Sequence, residues 1–154
     1  MQQAAAPGMV HEIGPEGIVR VTFDRPGSKV NLLTPEILEA LDRLLDDLAR
    51  REEVRGLLFE SAKPGMFLAG MDVEALAALE DAYEAGEASR RGQTVFRRLE
   101  EAPWPTACAI AGTCLGGGTE LHGRAVIVAS RQCYRLDLAD GVGDRWQFEA
   151  HGGD

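Results

Sequence analysis

Several things that a chain of 154 residues could carry are missing from this one. No apolar run approaches the ~20 residues that span a bilayer, so membrane insertion is not expected. The start, MQQAAAPGMV, has neither a basic leader nor an apolar signal core. Three cysteines, Cys108, Cys114 and Cys133, are an odd number without CxxC spacing, which points to a reducing, cytoplasmic setting. Positive charge is scarce: 16 Lys and Arg face 25 Asp and Glu, and the net charge of −9 repels nucleic acid and anionic membrane surfaces alike. The serine elbow GxSxG is absent. Gly112, Gly117, Gly118 and Thr119 almost spell a phosphate loop, but Gly118 stands where the phosphate-binding lysine is required. His122 and His151 have no partner cluster at ligand spacing, so no metal is expected.

What is present fits one α/β domain over residues 1–154, led by a flexible, alanine-rich segment at 1–8. MVHEIGPEGIVRVTF reads as a hairpin around Gly14–Gly17, with Val19, Val21 and Phe23 alternating onto one face. Thr34 offers an N-cap and Pro35 a first helical residue. Ile37, Leu38, Leu41, Leu44, Leu45 and Leu48 then recur at helical spacing through residue 50. RGLLFESA follows as a strand, DVEALAAL as a short helix and SRRGQTVFRRLEEA as a longer one. The prolines at 103 and 105 exclude helix there, and TACAIA restarts the chain as a strand. Helix and strand alternate, which predicts α/β layering.

Two stretches are more specific than this scaffold: KPGMFLAGMD and AGTCLGGGTEL. Each lies where a strand gives way to a helix. The first amides of such a helix have no partner within it, and ligands bind at the carboxyl ends of strands in an open α/β sheet. Glycine lets a ligand approach the main chain where a Cβ would obstruct it. Glu120 follows one turn into the second helix. Tight packing of the glycines, with Glu120 merely solvated, is the rival reading.

RPGSKVNLL, SAKPGMFLAGMDVEAL and IAGTCLGGGTEL occur in an order and spacing that resemble the crotonase (enoyl-CoA hydratase/isomerase) family, most of all the hydratase segment of multifunctional fatty acid β-oxidation α subunits. The resemblance covers residues 9–121. It implies a crotonase-like spiral of ββα units, an acyl-CoA substrate whose coenzyme A is not a separate cofactor, and a homo-oligomer. It also implies two backbone amides, on Met71 and Gly117, that hold the thioester oxygen, with Glu120 as the catalytic carboxylate. Ala69, Gly70, Asp72, Val73 and Gly116 fall on substrate-binding positions of these motifs, with a plain N-cap as the alternative for Asp72. Lys29 and Val30 resemble the loop that meets the adenine end of CoA, although a solvated Lys29 is the simpler reading. Asp140 stands near the place of the family's second catalytic glutamate, with one methylene fewer. Residues 122–154 depart from the family, and the helices that close the acyl pocket and make subunit contacts have no counterpart there. The expected activity is hydration of a 2-enoyl-CoA, weak in this chain alone. The alternatives are enoyl-CoA isomerisation with one carboxylate, or an inactive acyl-CoA-binding or interaction module.

Overall fold

The computed structural model describes residues 3–77, 81–123 and 127–130. Three strands come first: β1 (Gln3–Ala6), β2 (Met9–Ile13) and β3 (Ile18–Phe23), joined as an antiparallel meander. Gln3–Ala6, expected within a flexible lead, instead forms an edge strand against β2. The turn between β2 and β3 closes through Gly17 N–H to Gly14 O at 3.0 Å and Gly14 N–H to Ile18 O at 2.9 Å.

Helix α1 (Pro35–Leu48) begins as its sequence predicts, for the Thr34 hydroxyl accepts the Ile37 N–H at 3.3 Å. All six apolar residues of its stripe are buried, and each such side chain contributes roughly 1.5–3 kcal/mol when removed from water. After α1 the chain repeats a pattern. Strand β4 (Gly56–Ser61) leads to β5 (Met66–Leu68), then to α2 (Val73–Ala77) and α3 (Ala82–Glu100). Strand β6 (Thr106–Ile110) leads to β7 (Thr113–Cys114), then to α4 (Gly117–Gly123) and β8 (Ile127–Ser130).

Each repeat thus places one strand in a large sheet, one in a small sheet and a helix after both. The large sheet runs β1-β2-β3-β4-β6-β8, with β3, β4, β6 and β8 parallel, and the small sheet is the parallel pair β5-β7. Leu33 joins the small sheet by a single parallel bridge to Met71, so the segment between β3 and α1 is a third, reduced copy. This is a ββα spiral. Its core is clamped by Phe23, stacked on Phe59 at 6.2 Å and edge-on to Phe67 at 6.0 Å.

The long helix departs from its sequence reading. It starts at Ala82 rather than near 89, because the Asp81 carboxylate accepts the N–H groups of Tyr83 and Glu84 at 2.8 and 2.9 Å. Its added turns carry exposed and half-buried residues, and Arg98 near its other end pairs with Asp42 and Asp46 of α1.

Candidate active site

The two glycine-bearing turns meet. A Cβ built on Gly70 would lie 3.5 Å from Leu115 O and 3.9 Å from Gly117 N, so the main chains at 70 and 115–117 are in van der Waals contact. Gly70 adopts φ +112°, a conformation that L side chains rarely reach. Gly118 is glycine for want of room, since its Cβ would sit 2.6 Å from that of Leu68. Close packing accounts for the glycines at 117 and 118, and that packing is what brings the start of α4 beside Met71.

Neither the Met71 nor the Gly117 N–H has a hydrogen-bond acceptor among the described residues, and in each case the geometry explains why. In a trans peptide the C=O and the following N–H point in opposite directions, and no peptide among the described residues is cis. Gly70 O accepts the Leu33 N–H at 2.8 Å, which turns the Met71 N–H away from Leu33. Gly116 O accepts the N–H groups of Thr119 and Glu120 at 2.8 and 3.1 Å, which aims the Gly117 N–H outward from the first turn of α4. Both donors thus have directions fixed by the backbone bonds around them.

Around them the sequence candidates fall as follows. Glu120 lies exposed on α4, one turn after Gly116. Asp72 caps α2, its Oδ1 accepting from Glu74 N and Ala75 N at 3.1 and 3.2 Å, while Oδ2 stands 3.7 Å from Arg25. The Ala69 N–H is spent on Asn31 O at 2.9 Å. Val73 opens α2, but its side chain lies outside the described residues. Lys29 is exposed and Val30 half-buried, in a loop folded by Ser28, whose Oγ bonds both the C=O and the N–H of Val30. Asp140, His151 and Cys133 lie outside the described residues, as does the side chain of His122. Burial pushes the Cys108 thiol up to about 12 and the Cys114 thiol to about 11, so both are neutral at ordinary pH and poor nucleophiles.

A cleft of about 850 Å³ opens from Leu33, Met71 and Asp72 and continues between α1 and α3 past Leu38, Tyr83 and Val95. Sequence reasoning missed Asn31, which is 1 % exposed and bonded on every side. The available signal was a carboxamide standing inside the apolar run Val30–Leu33.

The fold is that of a crotonase-type α/β protein. A family model described as "Enoyl-CoA hydratase/isomerase" matches residues 14–134, and the chain belongs to that family. Among its relatives are two proteins named "Fatty acid oxidation complex subunit alpha". That of Idiomarina loihiensis is 38% identical over 110 residues, covering 71% of this chain and 16% of the relative. That of Aliivibrio fischeri is 38% identical over 107 residues, covering 69% and 16%. Among solved structures, the enoyl-CoA hydratase of Bacillus anthracis superposes with a TM-score of 0.73 at 24% identity, covering 80% of this chain and 47% of that one. The enoyl-CoA hydratase of Mycobacterium smegmatis gives 0.74 at 22%, covering 81% and 48%. The chain thus spans just under half the length of these solved hydratases and about a sixth of the curated relatives.

Proposed function

We propose that this chain provides the enoyl-CoA hydratase half-site of fatty acid oxidation, with a fatty 2-enoyl-CoA thioester as substrate. The observation that carries the reading is the pair of oriented amides on Met71 and Gly117, neither with an acceptor among the described residues. As water adds to the double bond, Glu120 takes a proton from it, the oxygen bonds to C3, and the π electrons move onto the thioester oxygen as an enolate. The two amides stabilise that oxyanion. Proton return to C2 restores the carbonyl, so that one water has been added overall. The cleft leading from Met71 between α1 and α3 suits the acyl chain, Lys29 suits a CoA phosphate, and the free thiols Cys108 and Cys114 suit a reducing, cytoplasmic setting.

The test is to offer the purified chain crotonyl-CoA and to follow binding and the loss of enoyl-thioester absorbance separately. Glu120→Gln should lower turnover roughly 10²–10⁴-fold with binding retained. Met71→Pro, which deletes the donor, should cost roughly 10²–10³, whereas Met71→Ala should be mild. Failure to bind any CoA thioester, or undiminished turnover in Glu120→Gln, overturns the reading. A 3-enoyl-CoA isomerised under the same conditions would reassign the reaction and leave the amides in their role.

A further inference from the structure

We propose that Asn31 is the positioning residue that sets the angle of the Met71 amide. The inference rests on the oxyanion reading above and deepens it. The Asn31 side chain sits where β3 and β4 end beside β5. Its Nδ2 donates to Phe23 O at 3.2 Å, at the end of β3, to Ser61 Oγ at 2.9 Å, at the end of β4, and to Phe67 O at 3.1 Å, within β5. Its Oδ1 accepts the Arg25 N–H at 2.9 Å. Its own carbonyl accepts the Ala69 N–H at 2.9 Å.

From Asn31 a short ladder runs straight to the donor. Two residues on, the Leu33 N–H bonds Gly70 O at 2.8 Å, and Leu33 O accepts the Asp72 N–H at 3.3 Å. Gly70 C=O and Met71 N–H belong to one rigid peptide plane. Whatever fixes residues 31–33 relative to β5 therefore fixes the direction of the Met71 N–H. Asn31 does so through both its side chain and its backbone, and it touches no reacting atom.

Few other side chains can occupy this place. An aspartate keeps the acceptor toward Arg25 but loses both amide hydrogens, so its charge would face three oxygens. An alanine leaves Phe67 O without this donor in a buried setting, a loss that costs more than the bond itself contributes, while Phe23 O keeps the Ala62 N–H at 3.0 Å.

The experiment reads the amide's grip on the substrate directly. Crotonyl-CoA labelled with ¹³C at the thioester carbonyl is bound to the full chain, and its carbonyl stretch is recorded by difference infrared spectroscopy. Two aligned donors lower that frequency from its value in water. In Asn31→Asp the lowering should shrink and kcat should fall by roughly 10², the scale expected of a misplaced catalytic group, with KM nearly unchanged. Acidification should restore part of both effects as the introduced carboxylate takes up a proton and regains one donor. Should Asn31→Asp fail to fold by circular dichroism, Ser61→Ala decides, since it removes one of the three Nδ2 bonds and should give a smaller change of the same sign.

If the wild-type carbonyl is not lowered at all, the oxyanion reading fails and this inference goes with it. If the wild-type carbonyl is lowered and the folded Asn31 or Ser61 variant matches it, only the Asn31 proposal is overturned.

Discussion

Between β5 and α2 the chain is held by the groups it bonds, and between β7 and α4 it is held by the side chains it lacks. Met71 lies in the first turn, where Leu33 pins the peptides on both sides of it and Asp72 caps the helix that follows. Gly117 lies in the second, where a Cβ on Gly117 would meet Leu33 and Met71 and one on Gly118 would meet Leu68, while just ahead of β7 a Cβ on Gly112 would meet Gly65. Each means yields an amide of fixed direction. They should differ in how they fail, because a removed hydrogen bond leaves the backbone free to adjust, whereas an added methyl inside packed main chain forces atoms apart.

The largest effect should therefore come from the glycine that leads into β7 and the second turn. Gly112 has φ +107°, and its Cβ would lie 2.2 Å from the carbonyl carbon and oxygen of Gly65. Gly112→Ala must break the register of β5 and β7, and we expect a loss of about 3 kcal/mol from strain and overpacking together. The urea midpoint should fall with an unchanged slope. A loss below about 1 kcal/mol would show that the turn gives way cheaply, and the contrast between packing and bonding would collapse.

The strand that leads toward the second turn, β6, is sensitive to alkali. Cys108, fully buried on β6, has its thiol raised from 9.0 to about 12, first by burial and then by Cys114. A raised folded pKa means that the unfolded chain loses its proton first. Stability is then intact below pH 9 and falls as pH rises toward 12, by at most about 1.4 kcal/mol per pH unit for this one group. Cys108→Val should flatten the stability curve between pH 9 and 10 relative to the wild type. Parallel curves would remove burial of this thiol as the cause.

How much of this was legible in the sequence follows from the range of each signal. Helix α1 and strands β2 to β4 were readable because apolar period, cap and turn residues all lie within a few positions of one another. The family motifs pointed to Met71, Gly117 and Glu120, and their roles await the experiments above. Strands β5 and β7 escaped, being three and two residues long and defined by partners some 47 positions apart, Met66 with Thr113. The early start of α3 was hidden because AYEAGEASRRG carries two glycines and no apolar stripe, and one cap at Asp81 decides it. Asn31 was quoted within a motif yet not singled out, since bonds to three separate strands and to the Arg25 N–H leave no periodic trace.

In the first turn a smaller loss is expected. Asp72→Ala removes the acceptor of two N–H groups at the start of α2 and should cost about 1 kcal/mol, the usual value of an N-cap. Asp72→Asn keeps an acceptor oxygen and should recover most of that. Equal losses in the two variants would mean that the carboxylate acts by charge rather than by capping.

The smallest effect separates these two roles. Arg25 Nη1 stands 3.7 Å from Asp72 Oδ2, with the arginine side chain 37% exposed, and this contact joins the loop carrying Lys29 to the turn carrying Met71. Its position invites a large role, but at that distance and exposure water screens the pair, and exposed pairs contribute roughly 0–1 kcal/mol. Arg25→Gln leaves the Arg25 N–H to Asn31 bond in place because that bond is made by the backbone. A cycle of Arg25→Gln, Asp72→Asn and the double variant should give a coupling of at most about 0.5 kcal/mol, reduced further by salt. A coupling above about 1 kcal/mol would mean that the first turn is held by charge across its surface as much as by its backbone ladder. The two turns would then differ in a second respect, with ionic strength acting on the Met71 amide and leaving that of Gly117 untouched.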